Sequence, residues 1–176
     1  LWSYVCLVPQ GHYPNRFLDY PSIRNRIIFW LSWRFDLKGF LHWGYNSWRA
    51  WQGVPADIDV SPWQDASAGS IYCADRNPLP AGDPHLVYPG KRDICSSLRW
   101  EVIRKGCEDF EYLYLLDQAA AAAKQGDRAA AAAKRLLARV RKEIAPDPLR
   151  HTRDDHALLS ARQQAGELLA KLVGER

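Results

Sequence analysis

Short β-prone runs alternate with helix-length amphipathic stretches through the first half of this chain, and that alternation constrains the fold more than any other feature. Trp2–Val8 is an apolar run closed by Pro9 and Gly11, which reads as a buried strand of the parallel type. Beyond a turn-rich loop, Ile23, Ile27, Trp30 and Leu31 recur at spacings of three and four. They predict a helix over Ser22–Leu37 that starts at Ser22 after Pro21 and stops at Lys38-Gly39. Phe40–Tyr45 is a second strand and His85–Tyr88 a third, ended by Pro89-Gly90. From Ser97 a long helix follows, with Leu98, Val102, Gly106, Phe110 and Leu113 on one stripe and Ile103, Cys107 and Tyr114 beside it. Repetition of this kind predicts an α/β fold, a mainly parallel sheet covered by helices. The connection over Asn46–Asp83 is long and carries Pro55, Pro62, Pro78 and Pro80; its Trp48, Trp51, Trp63 and Tyr72 predict an ordered, functional loop.

The chain changes character near Asp117. Residues 1–118 carry 12 Lys+Arg against 13 Asp+Glu, whereas residues 119–176 carry 12 against 7, so the net +4 charge resides in the tail. All eight tryptophans lie in the first 100 residues, and the tail holds two five-alanine runs, Ala119–Ala123 and Ala129–Ala133. Two further helices are expected there. Asp127 caps one over Arg128–Ile144, and Thr152 or Asp154 starts the other, whose apolar face is Leu158, Leu159, Leu168, Leu169, Leu172 and Val173. The Arg139-Val140-Arg141-Lys142 run reads as a solvated basic face rather than a nucleic-acid site. At 47% apolar and 25% charged residues the chain can bury a core, and no apolar run reaches the ~18 residues of a membrane span. The absence of Met and the start at Leu1 read as a piece of a longer gene product. Localisation stays open, a secreted or periplasmic bacterial setting included. Cys6, Cys73, Cys95 and Cys107 form no C-x-x-C pair and have no His at finger spacing, so they read as buried thiols; neither a metal nor a cofactor is expected.

In a parallel α/β architecture the strand ends and the loops after them form the ligand face. Those ends carry Tyr4, Tyr13, Trp43, Trp48 and Tyr88 as flat rings, and Asn15 and Asn46 as directional amides. Sugars present apolar ring faces and hydroxyl rims, and a cleft of rings and amides fits them. Trp2, Trp30, Trp33 and Trp100 sit where core packing is the expected role. In Phe40–Tyr45, alternation puts Leu41, Trp43 and Tyr45 on one side and His42 on the other, as a satisfied interior histidine. Glu108, Asp109 and Glu111 are expected on the outer surface of their helix, away from the strand ends, and so are not a catalytic pair.

The ordered blocks Trp2-Ser3-Tyr4-Val5-Cys6, Tyr13-Pro14-Asn15, Phe17-Leu18-Asp19-Tyr20-Pro21, Phe29-Trp30-Leu31-Ser32-Trp33 and Gly39-Phe40-Leu41-His42-Trp43-Gly44-Tyr45-Asn46-Ser47-Trp48 are followed by Leu86-Val87-Tyr88-Pro89-Gly90, Ser97-Leu98-Arg99-Trp100-Glu101 and Gly106-Cys107-Glu108-Asp109-Phe110-Glu111-Tyr112-Leu113. This series resembles the C-terminal part of the catalytic domain of glycoside hydrolase family 123. The resemblance implies the C-terminal portion of a (β/α)8 TIM-like barrel, about three βα units over residues 1–118, followed by an alanine-rich helical tail over 119–176. It also implies likeness to retaining β-N-acetylgalactosaminidases, which use the substrate's own 2-acetamido group as nucleophile. In these an adjacent Asp-Glu pair orients the acetamide and protonates the leaving oxygen. That pair has no counterpart in these 176 residues, so no catalytic residue is assigned. The expected role is one side of a sugar cleft. Trp43 is its floor, Tyr4, Asn15 and Asn46 are its hydrogen-bonding groups, and Tyr13, Trp48 and Tyr88 are its rim. The partners are a glycan with a 2-acetamido sugar and the remainder of the barrel. A non-catalytic carbohydrate-binding or structural domain is the alternative.

Overall fold

The computed structural model describes residues 1–48, 61–64 and 80–174; Trp51, Tyr72 and Cys73 lie outside the described residues. Strands β1 (Trp2–Tyr4) and β2 (Gly39–Leu41) pair in parallel, with Trp2 opposite Gly39, Ser3 opposite Phe40 and Tyr4 opposite Leu41. Helix α1 (Ile23–Arg34) forms the crossover between them, as the alternation predicts. The Phe40 ring on one face of the pair meets Phe29 of α1 edge-on at 5.5 Å. The opposite face carries Trp2, Tyr4 and Leu41, which are 63%, 47% and 49% exposed. The expectation of a buried β1 with Trp2 in the core is therefore corrected: helices cover one face of this pair among the described residues.

Both strands are shorter than expected. Helix α1 also ends at Arg34, three residues early, because the chain turns through Phe35 and Asp36, the latter at φ +52°. The expected third parallel strand does not form. Tyr88–Pro89 (β3) pairs antiparallel with Ile94–Cys95 (β4), and Asn46 bridges His85, also antiparallel. Pro84 and Pro89 offer no N–H to a ladder, so this segment pairs only in short pieces. Gly44 is required here, since a Cβ on it would lie 2.6 Å from the Pro84 carbonyl oxygen.

Helix α2 (Leu98–Ala122) starts at Ser97, whose hydroxyl accepts the Trp100 N–H at 3.1 Å and reaches the Leu86 carbonyl. Its inward stripe is Arg99, Ile103, Gly106, Asp109, Leu113, Leu116 and Ala120, while Leu98 is 71% exposed. The stripe is rotated from the expected one because Arg99, not Leu98, is drawn inward, by carbonyls described below. Gly106 lets α1 come close: a Cβ there would run into the Phe29 ring and lie 3.1 Å from the Arg26 carbonyl oxygen.

Asp109 overturns the expectation of an outward acidic cluster. It is almost fully buried and accepts Arg26 Nε (2.6 Å), Arg26 Nη2 (2.9 Å) and Trp30 Nε1 (2.8 Å), with Arg162 Nε at 3.0 Å. Position 109 lies on the inward stripe with Ile103, Gly106 and Leu113, and four donors replace the water that a buried carboxylate loses. Glu108 is on the outside, paired with Arg104 and Lys105.

Helix α3 (Arg128–Arg139) is capped by Asp127, which accepts the N–H groups of Ala129 (2.7 Å) and Ala130 (3.0 Å). It runs into a π-helical turn, Val140–Ile144. Helix α4 (Asp155–Gly174) follows, with Asp154 accepting the His156 N–H at 2.9 Å. Both tail helices thus start where the capping signals put them. The buried face of α4 is Leu158, Ala161, Ala165 and Leu172; of the other expected positions Leu168 and Leu169 pack partly buried against the core, and Leu159 and Val173 are exposed. One core joins Ile27, Trp30, Leu113 and Leu116 to Ala133, Leu137, Leu158 and Ala161, and α2 passes residue 118 unbroken. The basic run is not wholly solvated: Arg141 pairs with Asp117 at 2.9 Å and lies 4.3 Å over the Trp33 ring. Nor are the thiols all buried, since Cys95 and Cys107 are exposed.

Asp109→Ala is expected to cost about 3 kcal/mol, the low end for breaking a buried ion pair because Arg26 and Arg162 keep some access to water. Glu108→Ala should leave stability nearly unchanged. Urea denaturation of both variants checks this; equal losses would show that the carboxylate hub does not anchor the helices.

Candidate functional site

At the carboxyl ends of the parallel pair, β1 runs into the Val5–Gln10 loop and β2 into His42–Trp48, the end of an α/β sheet where ligands bind. Asp83 lies between them, fully buried. Its Oδ2 accepts the Trp43 indole N–H at 3.0 Å, and its Oδ1 is 3.4 Å from Arg16 Nη2 and 3.6 Å from His42 Nε2. His42 and Trp43 therefore converge on one carboxylate instead of pointing to opposite sides. Alternation stops because strand pairing ends at Leu41, and the His42 ring closes a local turn by accepting the Gly44 N–H at Nδ1 (3.1 Å). Tyr45, expected beside Trp43, packs edge-on against Trp100 at 5.0 Å.

Arg99, in the first turn of α2, ties two separate stretches of chain to the helix. It donates to the carbonyls of Arg16 (2.8 Å), Gly82 (2.7 Å) and His85 (2.7 Å). Gly82, at φ +82°, makes room for it, because a Cβ there would lie 2.6 Å from Arg99 Nη1. Burial draws the Arg99 guanidinium below its usual pKa. Burial draws Arg16 down to about 9, against the pull of Asp83, and leaves it charged at neutral pH. Arg16 Nε and Nη1 have no partner among the described residues.

Aromatic side chains follow the same segment outward. Trp48 Nε1 donates to the Val87 carbonyl and Trp63 Nε1 to the Pro89 carbonyl, both at 2.8 Å. With Trp43 on Asp83, three indole N–H groups are thus anchored in chain order along residues 83–89. The Trp63 and Tyr88 rings pack with a tilt of 36° and centroids 4.6 Å apart, and Tyr88 meets His85 edge-on at 5.1 Å.

Of the residues expected at the site, Trp43, Trp48 and Tyr88 gather on this segment, and Asn46 is exposed at its bridge to His85. The Tyr4 phenol is raised above its usual pKa by desolvation first and then by the Cys6 thiol, with smaller opposing effects of Asp83 and Arg16, which place it in the field of that ion pair. Asn15 is turned inward: its amide donates to the Cys6 (2.8 Å) and Pro9 (2.9 Å) carbonyls and accepts the Arg16 N–H (2.8 Å), clamping the loop. Tyr13 and Tyr4 line a separate apolar cavity of about 270 Å³ bordered by Pro9, Pro14 and Pro148. Sequence reasoning missed Arg16, Asp83, His85, Arg99 and Trp63. The available signal was Arg99 within a block of resemblance and Arg16 between two of them, since arginines rarely sit inside without a structural task.

His85 is fully buried, neither ring nitrogen has a partner among the described residues, and desolvation, helped by Arg99, lowers its pKa to about 4. Above pH ~6.5 the ring is neutral folded or unfolded and stability does not depend on it. Between ~6.5 and ~4 only the unfolded chain takes up the proton, so stability falls as pH falls. The urea midpoint should decline across that window, and less steeply in His85→Gln; equal slopes would contradict this environment.

Set beside known proteins, residues 1–116 match the family model described as glycoside hydrolase 123, catalytic domain. No curated protein matches the chain. The matched stretch contains β1, α1, β2, the Asp83–Pro89 segment and most of α2, which are the elements that build the site. Covering about two thirds of the sequence, the match settles the family: this chain belongs to glycoside hydrolase family 123, with residues 1–116 forming part of its catalytic domain.

Proposed function

We propose that this chain forms one wall of the saccharide cleft of a (β/α)8 barrel, holding a glycan with a 2-acetamido sugar while its glycosidic bond is hydrolysed. The observation that carries the reading is the attachment of Trp43 to the buried Asp83 at the carboxyl end of the parallel pair. An indole held by its N–H presents a fixed apolar face, which suits the ring of a sugar. Tyr4 and Asn46 meet sugar hydroxyls, Trp48 and Tyr88 form the rim, and Asn15 and Tyr13 act through the loop that supports Tyr4. The barrel reading is supported by the β1–β2 pair, helix-covered on one face and open on its Trp2, Tyr4 and Leu41 face, as a barrel wall is toward its interior. In this reading residues 1–118 are the barrel part, and 119–176 are a helical buttress sharing its core.

The test is titration calorimetry with methyl 2-acetamido-2-deoxy-β-galactoside. Trp43→Ala should weaken binding by about tenfold, equivalent to ~1.4 kcal/mol, beyond the stability lost with one donor to Asp83. Trp30→Ala, fully buried in the core, should cost about 3 to 5 kcal/mol of stability. If Trp43→Ala loses stability yet keeps full affinity, the indole is a packing residue and the reading is wrong.

A further inference from the structure

We propose that Trp63 is a second saccharide platform, placed to hold the sugar unit joined to the one on Trp43. This rests on the reading of Trp43 as the first platform. Trp63 is 60% exposed, far more than an indole that serves packing. Yet it is not loose: its N–H is fixed to the Pro89 carbonyl at 2.8 Å, and its ring packs against Tyr88 with centroids 4.6 Å and planes 36° apart. Tyr88 is itself braced edge-on against the buried His85. The chain thus holds a large apolar ring in one orientation and leaves it open to water, an arrangement with an energetic cost unless something flat and partly apolar covers it. A pyranose has that chemistry, with an apolar face for the indole and hydroxyls that remain in water.

The order of anchors gives the direction. Trp43, Trp48 and Trp63 donate to Asp83, Val87 and Pro89, successive positions of one segment. The three anchors fall in chain order along one short segment, which over six residues spans at most about 20 Å. A linked saccharide, not a single sugar, matches such a row.

The experiment compares the wild-type chain with Trp63→Ala and Trp63→Phe by titration calorimetry. The two probes are methyl 2-acetamido-2-deoxy-β-galactoside and a disaccharide with the same unit β-linked to a methyl galactoside. Trp63→Ala should lower disaccharide affinity by about five- to tenfold, a change of ~1 to 1.4 kcal/mol, and leave monosaccharide affinity and melting temperature as they were. Trp63→Phe should recover much of the loss. Unchanged disaccharide affinity in Trp63→Ala, or an equal loss for both sugars, overturns the second platform while the Trp43 reading stands. If the wild-type chain binds neither sugar, the Trp43 reading fails and the second platform falls with it.

Discussion

One buried carboxylate holds the helices of this molecule in register. Asp109 of α2 takes Arg26 and Trp30 from α1 and Arg162 from α4, so three helices meet at a group that could not be there without all of its donors. The hub matters to the site because α2 begins three turns earlier with Arg99. Once Asp109 and Gly106 have seated α2 against α1, Arg99 is presented at the carboxyl end of the strands, where it binds the carbonyls of Arg16, Gly82 and His85. Helix packing thereby determines loop geometry.

Asp83 performs the corresponding task among the loops. It neutralises the buried Arg16 and receives the Trp43 N–H, linking the β1 loop, the β2 loop and the segment that leads to β3. A carboxylate in so dry a place is retained only with such partners. Here the partners orient an aromatic ring at the carboxyl end of the parallel strand pair.

Much of this was legible in the sequence, and what was not has physical reasons. The apolar spacing of Ile23, Ile27 and Trp30 fixes α1, and Ser97 and Asp127 mark helix starts by side-chain bonds that they do make. Gly106 fell correctly on the contact face. Strand ends were poorly legible because β1 and β2 stop where pairing stops, not where apolar residues stop. The same cause misplaced His42 and Tyr45, since alternation has no meaning beyond Leu41. Asp109 was misread and Arg99 passed over because charge suggests solvent, and only the tertiary partners offset the cost of burying those groups. Of the site, the aromatic members Trp43, Trp48 and Tyr88 could be read from strand-end positions. Their polar support could not, because Asp83 and Arg16 are 67 residues apart in the chain.

The account stands or falls on which tryptophans meet sugar. The chain has eight, and their indole N–H groups give separate signals in a 15N-labelled NMR spectrum. Adding a β-linked disaccharide headed by 2-acetamido-2-deoxygalactose should displace the signals of Trp43 and Trp63 and leave those of the core residues Trp30 and Trp33 in place. A spectrum in which Trp43 does not respond, or in which Trp30 and Trp33 respond equally, would contradict it.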